Sequence, residues 1–192
     1  MTEEKCPWAY RTELEMTYHD EDWGYPLHDD KKLFEMLILE TMQAGLSWST
    51  VLAKRDDMTK AFDYFDPNIL KDYSEEKIES LLTNPGIIRN KLKVRSVVSN
   101  ASAFLKIQDE FGTFDSFIWA YVSNKPIENR WKSIEEVPNF TPIAEQLSKD
   151  LKKRGFKFIG PTTVYAFMQS IGMVNDHLIS CPIHKKTGTH TS

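Results

Sequence analysis

The chain has 192 residues, 41% of them hydrophobic and 27% charged, with a formal net charge of −4. That length can bury a full core in one domain without staples, and no apolar run approaches a membrane span. The start M-T-E-E-K-C-P-W is acidic and matches neither a signal nor a transit peptide. A cytoplasmic chain is expected, in which two cysteines serve as ligands or packing before they pair as a disulfide.

Helical periodicity dominates, and alternating strand patterns are nearly absent. Asp30 is placed to cap D-K-K-L-F-E-M-L-I-L-E-T-M-Q-A-G, which stops at Gly45. Ser47 is placed to cap a helix from Trp48 to about Phe65, and Asp66-Pro67 starts a short one with proline in its first turn. Ser74 opens E-E-K-I-E-S-L-L, which N-P-G at 84–86 breaks. A long amphipathic helix follows, carrying Ile87, Val94, Val97, Val98, Ala101, Phe104 and Leu105. F-D-S-F-I-W-A-Y-V is a further short helix, and residues 123–140, with Pro126 and Pro138, read as a connector. Thr141-Pro142 caps a helix ending K-K-R-G, and the next runs from about Pro161 to Ile171. The expected fold is all-α, a single domain over residues 1–184 with two lobes left open, followed by a disordered tail at 185–192.

The acidic total argues weakly against nucleic acid as a partner. Two stretches run against it: R-N-K-L-K-V-R (89–95) holds four positive charges and no negative one, and K-D-L-K-K-R-G-F-K (149–157) holds five against one. By themselves such runs are ordinary solvated helix faces.

Two Cys/His pairs lie near the chain ends, Cys6 with His19 and His177 with Cys181. The second pair is spaced to share a helix face. Together they offer two thiolates and two imidazoles, a closed tetrahedral zinc shell of the structural kind. Closing so long a loop is worth about 5 kcal/mol on the entropic account. The spacing matches no standard zinc finger, and buried Cys and His side chains would give the same pattern. His28, His184 and His190 are alternative ligands.

Glu40 is the odd residue of its helix. It follows Leu33, Met36 and Leu37 at helical spacing and precedes Ala44, so a carboxylate ends an apolar face. Buried, it costs several kcal/mol unless paired. Arg55 is one available partner, and escape to solvent at the helix end is another solution. The functional alternative is a pocket acceptor waiting for a donor ligand. Trp48 lies past Gly45, and Y-H-D-E-D-W-G (18–24) adds Tyr18 and Trp23; aromatics with one acceptor suit a flat heterocycle.

L-E-T-M-Q-A-G-L-S-W (39–48), Y-H-D-E-D-W-G, K-R-G-F-K-F-I-G-P-T-T-V-Y-A-F-M-Q and V-N-D-H-L-I-S-C together closely resemble the bacterial 3-methyladenine DNA glycosylase I family, in order and spacing, from Cys6 to Cys181. The resemblance implies a compact helix-hairpin-helix DNA glycosylase fold with one structural zinc, bound by Cys6, His19, His177 and Cys181, joining the N- and C-terminal segments. It implies a base-excision repair enzyme, a monofunctional hydrolase of N-glycosyl bonds that releases 3-methyladenine from double-stranded DNA containing alkylated bases. It implies Glu40 as the carboxylate that accepts hydrogen bonds from the methylated base, Trp48 as the base's stacking partner, and Tyr18, Trp8 and Trp23 as pocket residues; catalysis is then expected to rest on pocket electrostatics, with Glu40 the main contributor. Gly45 and Leu46 match the segment approaching the gap left in DNA. A monomer with no membrane association is expected.

The superfamily hairpin binds the DNA backbone through main-chain N–H groups at a helix N-terminus. N-P-G-I-I-R-N-K (84–91) and G-F-K-F-I-G-P-T-T (155–163) compete for that role. The second is preferred, which nominates Lys157, Gly160, Thr162 and Thr163 for DNA contact, with the two basic stretches flanking one DNA path. Where much of the superfamily places a catalytic aspartate, V-N-D-H has Asn175, and Asp176 on a helix would point to another face; no general base is assigned. A zinc hydrolase would need an open coordination position, and a zinc-stapled nucleic-acid binder would need no buried acceptor.

Overall fold

The computed structural model describes residues 4–187. A 3₁₀ turn, Pro7–Tyr10, leads into α1 (Glu13–Glu21), followed by α2 (Asp30–Met42), α3 (Trp48–Ala53), α4 (Arg55–Ala61), α5 (Pro67–Leu70), α6 (Glu75–Leu81) and α7 (Lys91–Phe111). Then come α8 (Phe114–Trp119), α9 (Pro142–Lys153), α10 (Pro161–Ser170) and α11 (His184–Thr187). The fold is mostly helical, as expected, with one addition: a two-residue parallel pairing of β1 (Ile127–Glu128) with β2 (Val174–Asn175), in register Ile127 to Val174. It ties the connector to the C-terminal segment. Among the described residues no helix is long and apolar enough to cross a membrane.

Local signals set most boundaries. Ser47, Asp66, Ser74 and Thr141 cap α3, α5, α6 and α9 through their side chains. Asp30 does not cap α2: Asp29 accepts from Lys32 N. Asp30 instead reaches across the fold, where its carboxylate accepts from the Phe114 and Asp115 amides and from the Gln108 side chain. It thereby supplies the anion that the positive end of α8 favours. The long helix opens at Asn90, whose side chain accepts from Lys93 N, so Ile87 lies in the preceding turn. The single helix expected over 48–65 is broken twice. Lys54 leaves helical geometry, and Asp63, Tyr64 and Phe65 all have positive φ, a left-handed turn that seats Phe62 and Phe65 in the core. No glycine announces that turn, and burial of the two rings offsets its torsional strain.

α1 was not among the expected helices. T-E-L-E at 12–15 is its start: Thr12 Oγ1 caps the helix by accepting from Glu15 N, and the same hydroxyl donates to the Glu15 carboxylate. One apolar core spans the helices, linked by ring contacts from Phe34 to Phe104 (4.8 Å) and from Phe104 to Phe114 (4.5 Å). A small second cluster gathers Cys6, Leu178, Cys181 and Ile183 where the chain ends meet. Residues 185–187, expected as part of a disordered tail, complete α11, and Thr187 is buried with its hydroxyl on the Ile183 carbonyl. Residues 188–192, His190 included, lie outside the described residues.

The end of α10 is docked by backbone hydrogen bonds as well as by the buried Ile171 side chain. Leu27 N donates to Ile171 O, and Gly172, at φ +73°, passes so close that a Cβ would stand 2.5 Å from Pro26 N and Tyr25 C. Gly172→Ala adds this clash to an unfavourable torsion. It should destabilise the fold by about 3 kcal/mol or more, read as a lowered midpoint in urea with an unchanged slope.

Candidate active site and metal-ligand cluster

The last turn of α2 carries Glu40, 5% exposed, into a cavity of about 170 Å³. Its carboxylate has no hydrogen-bond partner among the described residues. Arg55 does not serve it; the guanidinium holds Glu35 through Nε (2.9 Å) and Asp22 through Nη1 (2.6 Å). Burial alone pushes the Glu40 carboxyl up to about 8. The end of α2 is fixed by Lys93, itself buried, whose ammonium donates to the carbonyls of Met42 (2.9 Å) and Ala44 (2.5 Å). Gly45 then turns the chain at φ +76° toward Ser47 and α3.

That turn sets Trp48, the first residue of α3, 5.3 Å from Tyr18 on α1, with the rings tilted by 54°. Trp8 approaches Trp23 edge-on at 5.0 Å and closes the wall. The Tyr18 hydroxyl and the Trp48 Nε1 are both buried without a partner. Two orphaned donors and one unpaired carboxyl in one aromatic cavity cost stability, roughly 1–3 kcal/mol for each group. Such a site is built for a ligand that satisfies them. By volume it has room for one ring system, since dry cavities of about 150 Å³ accept benzene.

The wall is shared with a second cluster. Trp23 stands edge-on to His177 at 4.6 Å, and His177 lies with Cys6, His19 and Cys181, all buried, their ligand atoms within 4.8 Å of one another. Sulfur-to-nitrogen separations are 3.5 Å for Cys181 to His19 Nε2 and 3.7 Å for each sulfur to His177 Nδ1. Tetrahedral zinc with ordinary Zn–S and Zn–N bonds has an S···N edge of about 3.6 Å. The outer nitrogens are committed: His177 Nε2–H donates to Trp23 O (3.0 Å) and His19 Nδ1–H to the Asp20 carboxylate (2.8 Å). Acceptors there place the protons outside, so both rings turn an unprotonated nitrogen inward, the arrangement found around metals. Cys6 and the two histidines hold the Cys181 thiol far below its usual range, while Cys181 and burial push Cys6 up. A cation between the sulfurs would let both be thiolates. His28 and His184 are elsewhere, on Asp115 and on the Asn129 carbonyl.

A profile of the methyladenine glycosylases matches residues 8–185. The chain belongs to this family. The glycosylase is 46% identical over 178 residues to the DNA-3-methyladenine glycosylase of Haemophilus influenzae, covering 93% of this chain and 96% of that one. It is 44% identical over 178 residues to DNA-3-methyladenine glycosylase 1 of Escherichia coli, covering 93% and 95%. The crystal structure of a single-residue variant of a 3-methyladenine DNA glycosylase I in complex with 3-methyladenine superposes with a TM-score of 0.92 at 37% identity, covering 99% of this chain and 100% of that one.

In the glycosylase, Tyr18, Glu40, Trp48, Trp8 and Trp23 line one cavity together. Gly45, Leu46, Thr162 and Thr163 line a second, of about 270 Å³, which shares Glu40, Gln43 and Ala166 with the first. Gly160 caps α10 without a side chain, just outside it. Lys157 lines neither cavity, but its backbone is clamped from both sides by the buried Asn100 amide (2.8 and 3.2 Å). The rival turn at 84–91 sits apart, with Gly86 packed on Asp57.

Three expectations change. His177 and Cys181 converge through turns after β2, not on a helix face, and Asp176 likewise follows β2 directly rather than lying on a helix. The first basic stretch is largely absorbed: Lys93 is buried, Lys91 pairs with Glu79 and Arg95 with Glu75. In the second, Lys149, Lys153 and Arg154 pair with Glu145, Asp150 and Glu110. Asn175, in β2, donates to Glu128 and to the His184 carbonyl. Five further residues line the Glu40 cavity that the sequence had not assigned to it: Arg11, Glu15 (2% exposed), Gln43, Ala166 and Gln169.

Proposed function

We propose that this chain is a DNA repair N-glycosylase that draws 3-methyladenine out of the double helix and hydrolyses its bond to the sugar. The observation that carries this reading is Glu40: a buried, unpartnered carboxyl walled by Trp48 and Tyr18. Extruding a base costs a few kcal/mol, and stacking of about 1–3 kcal/mol on an aromatic ring offsets much of it. Methylation at N3 makes adenine in DNA a cation, which an acidic aromatic pocket favours over neutral adenine. The same positive charge weakens the glycosidic bond, so the base departs neutral and water adds to the sugar carbon.

Little further catalysis is needed, and the polar groups nearby support that economy. Asp176 lies next to the position where a general base is expected in the superfamily, yet all its lone-pair directions face donors from Asn129, Trp131, Tyr165 and Gln169. Leu46, 40% exposed at the rim of the adjoining cavity, is placed to fill the gap left by the extruded base. The N-terminus of α10, with Gly160, Thr162 and Thr163, and the neighbouring Lys157 would hold the phosphate backbone through main-chain N–H groups and charge.

Cys6, His19, His177 and Cys181 would hold one zinc ion. Four protein donors leave it no open position, so its contribution is to fasten the chain ends and the Trp8–Trp23 wall, apart from the chemistry.

Incubation with N-methylated duplex DNA, followed by chromatography of the freed bases, tests the reading. Free 3-methyladenine is expected, with one zinc per chain in the same sample. DNA binding without any free base would leave a zinc-stapled DNA-binding protein in its place.

A further inference from the structure

Asp176 is 2% exposed, and its carboxylate accepts four hydrogen bonds from two parts of the chain. On Oδ1 they come from Asn129 Nδ2 (2.7 Å) and Trp131 Nε1 (2.8 Å), both in the connector. On Oδ2 they come from the Tyr165 hydroxyl (2.5 Å) and from Gln169 Nε2 (2.9 Å), both on α10. A carboxylate with this many donors is an acceptor only. Gln169 therefore meets it with its NH₂ end, and the amide cannot flip without turning oxygen against oxygen. The other end of the amide, Oε1, has no hydrogen-bond partner among the described residues, and Gln169 is a wall of the cavity that holds Glu40.

We propose that Gln169 Oε1 is a second acceptor for the extruded base, and that Asp176 is the positioning residue that fixes its orientation. This rests on the pocket receiving 3-methyladenine. In DNA that base carries N–H bonds only on its exocyclic amine, since N3 bears the methyl group, N9 the sugar, and N1 and N7 no hydrogen. Two amine protons meet two acceptors, the Glu40 carboxylate and the Gln169 oxygen. A base with a carbonyl in place of the amine, such as 3-methylguanine, would set its oxygen against both. Asp176, Tyr165 and the connector thus serve recognition at a distance, by removing the amide's freedom to offer a donor instead.

The test uses Gln169→Leu, which keeps the volume and removes the acceptor, and Gln169→Met as a second apolar variant should the first fold poorly. Affinity is measured by calorimetry for free 3-methyladenine and for 3-methylpurine, which has hydrogen in place of the amine. Wild type should prefer 3-methyladenine. Each variant should bind it about tenfold more weakly, leave 3-methylpurine unchanged, and lose discrimination against 3-methylguanine in base release. Equal weakening for both ligands, or no change for either, would overturn the proposal. A wild type that released no 3-methyladenine would instead remove the reading beneath it.

Discussion

Glu40→Gln should abolish most excision of 3-methyladenine and at the same time make the folded protein more stable at alkaline pH. Both effects come from one burial. The carboxyl's folded pKa is raised from 4.5 to about 8, and it has no partner that would lower it. Below about pH 4.5 it is protonated in the folded and unfolded chains alike, and burial carries no ionisation penalty. As pH rises toward 8 the unfolded chain ionises freely while the folded one resists, so stability falls across this window. Above about 8 the full penalty is present, up to ~5 kcal/mol on the linkage relation. Glutamine keeps the shape and never ionises. Melting curves of the variant and wild type should coincide near pH 4.5 and separate in the variant's favour by pH 8.5. Excision should fall on the order of a hundredfold or more, because the fixed charge facing the departing base is gone, with affinity for undamaged DNA unchanged. In wild type, kcat/KM should climb with pH until about 8, since the arriving cation needs the carboxylate. A difference in melting that does not vary with pH, or a variant that still excises at the wild-type rate, would sink the assignment.

Glu40 was legible because helical periodicity is local: four apolar positions and a carboxylate on one face need no knowledge of the rest of the fold. The caps at Ser47, Ser74 and Thr141 were legible for the same reason. Neighbouring aspartates at 29 and 30 were not separable, because which one caps α2 depends on where α8 arrives. The T-E-L-E start of α1, with Thr12 as its cap, is a signal of the same local kind. The left-handed turn at 63–65 had none, as its usual marker, glycine, is missing and tertiary burial of Phe65 takes its place. Long-range polar pairs stayed invisible throughout. Nothing in R-N-K-L-K-V-R says that Lys93 turns inward to the end of α2 while Lys91 and Arg95 meet Glu79 and Glu75. The link from Asp176 to Gln169 joins β2's exit to α10 and appears only once both are folded.

Stripping the zinc proposed for the Cys6, His19, His177 and Cys181 cluster should lower the melting temperature by about 10–20 °C rather than unfold the protein outright. The four donors at 6, 19, 177 and 181 tie together the two ends of the chain, and the entropic value of closing such a loop is about 5 kcal/mol. At roughly 2–4 °C per kcal/mol for a domain of this length, that gives the stated range. Zinc fingers unfold without their ion because they have little else, whereas here the core around Phe34, Phe104 and Phe114 stands on α2, α7 and α8, away from the cluster. What a bound ion would secure is the smaller cluster of Cys6, Leu178, Cys181 and Ile183, with Trp8 and Trp23 leaning on it. Cys181→Ala should therefore yield a chain without bound zinc that melts early and excises poorly, because two walls of the Glu40 cavity lose their backing. Adding a chelator should move wild type toward the variant and leave the variant unmoved. A zinc-free wild type as stable as the purified protein, or a variant melting with it, would show that four buried side chains pack there without a metal.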